Sequence, residues 1–314
     1  MKSLAISLAL LIPPVSWAAT PEQMTALVAS HQWIHGSADC SANEDPAIEV
    51  LAVDPDTYIL RQSKCLSAEA PFIYVFFGTA KVFVQDTGDT RDATLFPIYQ
   101  TVLDLVQARE SGDKRLQILV THSHGHGDHT AGDGQFLGQP DVTLVEPETD
   151  AIARYFGLEQ WPSGQAELDL GDRLLTIFPI PGHHEQSLAV YDSHSRWLLT
   201  GDTVYPGMLI IMDWDDYKRS IQAMADFATQ YPVSAIMGTH IEMTATPGLS
   251  YAYGTVYQPD EAPLPISVAE LQTLNEQLKL LGDKPEKATM DKFVITPASG
   301  IQKAVSSVLG WFSG

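Results

Sequence analysis

Short apolar runs broken by turn residues fill the first third of the chain. Ile48–Val53, Tyr58–Gln62, Phe72–Phe77 and Lys81–Gln85 are rich in Val, Ile, Phe and Tyr, and Asp-Pro, Ser-Lys and Gly-Thr pairs punctuate them. That is the pattern of a strand meander, ended by the turn Asp86-Thr87-Gly88-Asp89. The period then changes. Between Phe96 and Arg109 the apolar positions Ile98, Val102, Leu105 and Val106 mark one face of a helix. Leu116–Val120 reads as the next strand. Strands at Val142–Val145, Leu174–Phe178, Leu188–Tyr191 and Trp197–Thr200 follow, then a helix over Asp215–Gln230 and a strand at Ala235–Met237. Strands followed by a helix, twice over, predict an α/β fold.

Both ends differ from this middle. Met1-Lys2, the apolar run Leu4–Val15 and the small residues of Ser16-Trp17-Ala18 predict a signal peptide over 1–18, cleaved after Ala18. The protein is then expected in the periplasm or outside the cell. The apolar run falls short of the ~20 residues that span a bilayer, so no membrane anchor is expected. After a main domain over 19–258, the proline-rich stretch Pro259–Pro265 leads to helical patterns at Val268–Leu281 and Ile301–Phe312. These predict a helical extension over 259–314, packed on the main domain or walling a pocket.

Composition narrows the partners. Of 314 residues 45% are hydrophobic, enough for a sizeable core. Acidic residues number 39 against 18 basic ones, a net charge of −21, which repels phosphate backbones and anionic lipid. A nucleic-acid partner is therefore not expected, and a small-molecule substrate is. Cys40 and Cys65 are the only cysteines. In an oxidising compartment an even pair is a candidate disulfide.

Chemistry concentrates in Thr121-His-Ser-His-Gly-His-Gly-Asp-His-Thr-Ala-Gly132, with four imidazoles and one carboxylate between His122 and His129. Neutral imidazole and carboxylate suit borderline cations such as Zn²⁺, and small spacers let a tight loop aim alternate side chains at one point. His124 and His126 form one ligand pair; Asp128 and His129 form a second. The loop leaves a strand, a favoured place for a reactive site. A merely solvated loop would not need this density of imidazole.

His124-Gly-His126-Gly-Asp128-His129, followed by Pro181-Gly182-His183, Leu199-Thr200-Gly201-Asp202 and Met237-Gly238-Thr239-His240, resembles the metallo-β-lactamase fold hydrolases. The four motifs stand in the order that family uses and cover roughly residues 70 to 242. The resemblance implies an αββα sandwich: two stacked mixed β-sheets with helices on the outer faces and the site along one edge. It implies that His124, His126 and His183 hold one divalent ion, that Asp128, His129 and His240 hold another, and that Asp202 bridges them. Zinc is the first expectation, and the same donors accept Fe or Mn. His122 is expected to be structural, and His184 to diverge from its neighbour His183. His31, His35 and His194 are expected to be surface or packing residues.

The same resemblance implies hydrolysis of a small-molecule ester, lactone, thioester or amide by a hydroxide shared between two ions. Asp128 would orient it and pass its proton to the leaving group. Tyr205, three residues beyond Asp202, has a spacing similar to that of the fold's N-acyl-homoserine lactonases, where a tyrosine hydroxyl assists at the substrate oxygen. True β-lactamases of the family usually lack an acid at the bridging position, so Asp202 weighs against lactam hydrolysis, although export keeps it as an alternative. Glyoxalase-type thioesterases share all seven ligands, but their glutathione thioester is cytosolic and they bind glutathione through a cationic patch. Lys279, Lys284, Lys287, Lys292 and Lys303 form no such cluster in this sequence. An iron-dependent sulfur dioxygenase of the same fold, which uses fewer ligands, and a non-catalytic metal-binding module are the readings outside hydrolysis.

Overall fold

The computed structural model describes residues 19–109 and 115–299. Along the chain the elements are α1 (Pro21–Ser30), β1 (Ile48–Asp54), β2 (Thr57–Gln62), β3 (Phe72–Phe77), β4 (Lys81–Gln85), α2 (Ile98–Gln107), β5 (Gln117–Thr121) and two short helices, α3 (Gly127–Thr130) and α4 (Asp133–Phe136). β6 (Val142–Leu144), α5 (Thr149–Phe156), β7 (Ala166–Asp169), β8 (Leu174–Pro179), β9 (Leu188–Asp192), β10 (Trp197–Gly201) and β11 (Gly207–Ile211) follow. The last are α6 (Trp214–Gln230), β12 (Ala235–Gly238), β13 (Pro265–Ile266), α7 (Val268–Leu281), β14 (Ala288–Thr289) and β15 (Phe293–Pro297).

Two six-stranded sheets form the sandwich, ordered β1-β2-β3-β4-β5-β6 and β13-β12-β10-β9-β8-β7. Both are mixed: β4, β5 and β6 run parallel in the first, as do β10 and β12 in the second, while the remaining neighbours are antiparallel. Strand alternation distributes the core into layers. Phe72, Tyr74 and Phe76 of β3 point between the sheets and meet Ile177, Val190, Trp197 and Leu199 of the second sheet. Ile73, Val75 and Phe77 point the other way, under Ile98, Val102 and Val106 of α2. On the far side Ala189, Leu198 and Ile236 pack under Tyr217, Ile221 and Met224 of α6 and Leu271, Leu274 and Leu278 of α7. The sandwich is therefore αββα, with its continuous apolar strands buried on both faces.

Several elements depart from the sequence reading for local reasons. The helix expected from Phe96 begins at Ile98, because Pro97 occupies the N-cap and Phe96 is buried under it. α1 was not anticipated, although Thr20 and Gln23 form a reciprocal capping box with Pro21 at the first turn; Met24 and Val28 then enter the inter-sheet core. The segment after 258, expected to be helical, also supplies strands. β13 pairs with β12 at the edge of the second sheet, and β15 joins β11 and β14 in a separate three-stranded sheet. The expected helix Val268–Leu281 is α7, capped by Ser267 and Glu270. Residues 1–18 and the helical pattern 301–312 lie outside the described residues. Among the described residues no helix is long and apolar enough to cross a membrane.

Polar ties hold these layers together. Cys40 and Cys65 form a disulfide with a Cα–Cα separation of 5.3 Å. Arg61 of β2, beneath the ring of Phe72, makes a bidentate pair with Glu261, both contacts 2.6 Å. Only 1% and 8% of the two side chains are exposed. Removing one partner of such a pair leaves a buried charge uncompensated, so Glu261→Ala is expected to lower the unfolding free energy by about 3–5 kcal/mol. Urea denaturation measures this directly; an unchanged midpoint would separate the segment after 258 from the stability of the sandwich.

Candidate metal centre

All the ligand-bearing loops leave the sheets at one edge. β8, β10 and β12 run in the same direction, and the chain departs from their ends toward His183, Asp202 and His240. Across the sandwich, β5 ends at Thr121 and delivers His124 and His126, with Asp128 and His129 in the first turn of α3. Two glycines permit the close approach. Gly182 sits at φ 133° with Tyr217 backbone 2.4 Å from where a Cβ would lie, and Gly201 at φ 52° with Ser123 Cβ 2.6 Å from its own. Each immediately precedes a site residue, so the chain can turn a donor inward where a side chain would collide.

The structure brings all seven predicted ligands together as two groups. His124, His126, His183 and Asp202 form one; Asp128, His129, Asp202 and His240 form the other, with donor atoms of each group within 4.8 Å of one another. In the first, His124 Nε2 and His183 Nε2 lie 2.8 and 3.2 Å from His126 Nδ1 and 3.8 and 3.6 Å from Asp202 Oδ2. In the second, His129 Nε2 and His240 Nε2 are 3.4 Å apart, 3.4 and 3.2 Å from Asp202 Oδ1, and 3.2 and 3.3 Å from Asp128 Oδ2. Asp202 thus presents one oxygen to each group.

Whether these donors fit a cation follows from what lies behind them. His183 Nδ1 is 2.9 Å from the carbonyl of Ile210, and His240 Nδ1 is 2.9 Å from that of Glu69. A carbonyl only accepts, so each ring carries its proton on Nδ1 and turns a lone pair inward at Nε2. His129 Nδ1 is held 3.0 Å from Asp86 Oδ2, and Ser123 Oγ stands 3.1 Å from His124 Nδ1. Thr239 donates to Asp202 Oδ1 at 2.5 Å. Inward lone pairs facing one another repel unless a positive charge lies between them. A tetrahedral cation with bonds of about 2.0–2.1 Å separates its donors by roughly 3.4 Å, close to the spacings here. The residues fit two divalent ions, and the partners behind the rings are of the kind that orient metal-ligating histidines.

Electrostatics divides the site in two. Burial, with the neighbouring imidazoles, pushes His124 well below the usual histidine range and His126 down to about 3; burial also lowers His183. Burial opposes ionisation of Asp128 and Asp202, but the surrounding imidazoles outweigh it and hold both carboxyls low. At His129 and His240 burial likewise opposes charge, yet the carboxylates of Asp128 and Asp202 win and raise both. In that second group a proton and a cation compete for the same lone pairs.

The remaining histidines fall outside both groups. His122 Nε2 is 2.8 Å from Asp133 Oδ1, and His184 Nδ1 accepts the N–H of Gln186. His31, His35 and His194 lie against Glu49, the Trp33 carbonyl and Asp54. Tyr205 lines the cavity beside the second group, its ring 5.7 Å from that of His240, and its hydroxyl lies 2.7 Å from the carbonyl of Met208 and 3.0 Å from Glu242 Oε2.

The centre opens into a cavity of about 290 Å³ lined by Glu69, Met208, Ile210, Met212, Glu242 and Tyr253, among others. Sequence patterns gave no hint of these, because they stand outside the ligand motifs and meet only in three dimensions. Asp86 had a signal: it belongs to the Asp86-Thr87-Gly88-Asp89 turn, and its backbone is left-handed at φ 72°. There it accepts the N–H of Ser123 at 2.6 Å and orients His129.

The profile of the metallo-beta-lactamase superfamily matches residues 67–240, more than half of the chain. The chain belongs to that superfamily. It is 29% identical over 180 residues to acyl-coenzyme A thioesterase MBLAC2 of Homo sapiens, covering 47% of this chain and 62% of that one. To hydroxyacylglutathione hydrolase of Anaeromyxobacter dehalogenans it is 33% identical over 98 residues, covering 27% and 32%. The chain therefore spans less than two thirds of the length of these curated relatives. Among solved structures it is similar to a metallo-beta-lactamase from Pontibacter korlensis (18% identity, TM-score 0.46, 62% of this chain and 91% of that). It is also similar to TMB-1 (18% identity, TM-score 0.49, 75% and 100%).

The geometry generates a paired test. Asp202→Ala is expected to reduce bound metal by about one equivalent per chain and turnover by about a hundredfold or more, with the far-ultraviolet dichroism kept. His122→Ala is expected to keep both equivalents. Elemental analysis decides; loss of an equivalent from the His122 variant alone would reassign the ligand set.

Proposed function

We propose that this chain is an exported, metal-dependent hydrolase that cleaves a small acyl ester or thioester. The observation that carries this reading is Asp202, whose two oxygens face two separate donor groups at the base of one cavity. His124, His126, His183 and Asp202 would hold one divalent ion, and Asp128, His129, His240 and Asp202 the other, zinc before manganese or iron. When bound, such a pair lowers the pKa of a shared water toward neutrality and supplies positive charge to the developing oxyanion.

The chain's own residues do the rest. Asp86, Ser123 and the carbonyls of Ile210 and Glu69 fix the rings from behind, so little reorganisation accompanies reaction. Asp128 is held ionised by the neighbouring imidazoles and lines the cavity, where it can accept a proton from the attacking water and return it to the leaving group. Met208, Ile210 and Met212 make one wall apolar and keep bulk water from it. Thioester cleavage is favoured by the relatives, which are named for acyl-coenzyme A and hydroxyacylglutathione. The bridging position of Asp202 weighs against a lactam. The apolar pattern over 4–15 that reads as a signal peptide, the Cys40–Cys65 disulfide and the net charge of −21 support the reading of a protein that works outside the cytoplasm on a small molecule rather than on nucleic acid.

The purified chain, stripped and then reloaded with Zn²⁺, Mn²⁺ or Fe²⁺, is expected to hydrolyse a neutral acyl thioester and an aryl ester at least tenfold better, by kcat/KM, than a chromogenic cephalosporin. A chelator should abolish turnover, and added metal restore it. Cephalosporin as the preferred substrate, or inertness toward every acyl compound with two ions bound, would sink the proposal.

A further inference from the structure

β11 occupies an unusual position between substrate space and the metal centre. Its side chains alternate: Leu209 and Ile211 enter the core beneath α6 and α7, whereas Met208 and Ile210, with Met212 just beyond, line the cavity. Its backbone is bonded to the loops of three site residues. The carbonyl of Ile210 accepts His183 Nδ1–H at 2.9 Å, and the N–H of Met212 donates to the carbonyl of Gly182 at 2.8 Å. The carbonyl of Met208 lies 2.7 Å from the hydroxyl of Tyr205, three residues after Asp202. Glu242, two residues after His240, accepts the N–H of Met208 at 2.7 Å on the oxygen that also faces Tyr205. The Met208 peptide is thus gripped at both ends by residues belonging to ligand loops.

Resting on the hydrolase reading above, we propose that β11 selects the acyl half of the substrate. Met208, Ile210 and Met212 seat an unbranched apolar acyl chain, and Glu242 is the positioning residue that keeps this wall in register with the metal ligands. In the reaction the oxygen of water bonds to the acyl carbon, the acyl carbon–sulfur or carbon–oxygen bond breaks, and the proton of water leaves with the thiol or alcohol. The apolar character follows from the three side chains. The extended form follows from the strand, whose cavity-facing positions 208 and 210 lie about 7 Å apart, with Met212 continuing the wall just past its end. Three apolar side chains in a row on a strand are commonly core residues, but Met208 and Ile210 are only partly covered and face the cavity. β15 braces the wall from outside through parallel pairing of Met208 with Val294 and Ile210 with Thr296, and Thr296 reaches the same cavity.

The test is a homologous series of straight-chain acyl thioesters from C2 to C12 on one uncharged thiol, run beside the matching uncleavable thioethers in calorimetry. For the wild type, kcat/KM and thioether affinity are both expected to rise by about fourfold per methylene until the wall is filled. Ile210→Trp should lower the C10:C2 ratio of both quantities at least tenfold; Ile210→Val, the milder variant, should lower it about threefold. Glu242→Ala should flatten the chain-length slope while metal content stays at the wild-type level, and Glu242→Gln, which retains an acceptor for Met208, should restore it. A flat wild-type series, or a slope indifferent to Ile210 and Glu242, would overturn the inference while acyl hydrolysis stood. A thioether slope without turnover of any ester or thioester would overturn hydrolysis and leave the wall standing.

Discussion

Five imidazole lone pairs and two carboxylates turned toward two points constitute the constraint around which this molecule is organised. Lone pairs that face one another repel unless a proton or a cation lies between them, and burial removes the water that would otherwise separate them. The fold answers from behind. Asp86, Ser123, Ile210, Glu69 and Thr239 each take or give a hydrogen bond at the back of a site residue. The donors therefore cannot relieve their repulsion by turning away. The left-handed backbone at Asp86, Gly182 and Gly201 belongs to the same solution, since each lies where the chain must bend sharply to aim a side chain inward.

Legibility in the sequence tracked the range of the interactions. The loop from His124 to His129 was readable because four of its donors lie within six residues, and the strands β3 and β4 because both faces are apolar. Single ligands such as His183 and His240 have no local signature; only their short motifs, in order, pointed to them. β11 and β15 escaped notice because each is a brief apolar run that becomes a strand by pairing with the other, 86 residues away in sequence. Glu69, Glu242 and Tyr253 stayed hidden for the same reason: what makes them site residues is the cavity they share. Tyr205, singled out by its spacing from Asp202, does reach the cavity, where its hydroxyl lies against Met208 and Glu242.

The segment after residue 258 changes the account of how the site is built. It adds a strand to the second sheet, closes a buried ion pair with Arg61 and supplies the strand that braces the cavity wall. An appended helical cap could be lost without altering the centre. This segment is threaded through the parts that hold it, so sandwich stability and cavity shape are coupled.

The shared carboxylate of Asp202 also bears on when the centre can exist. Its donor groups draw on four separate loops from both sheets, so neither group is complete until the sandwich has closed. A partly folded chain can offer His124, His126, Asp128 and His129 to a passing ion, but neither the last imidazole of each group, His183 or His240, nor the shared Asp202. Ions held by these groups would thus be captured late in maturation, from the pool of whichever compartment the chain finishes folding in.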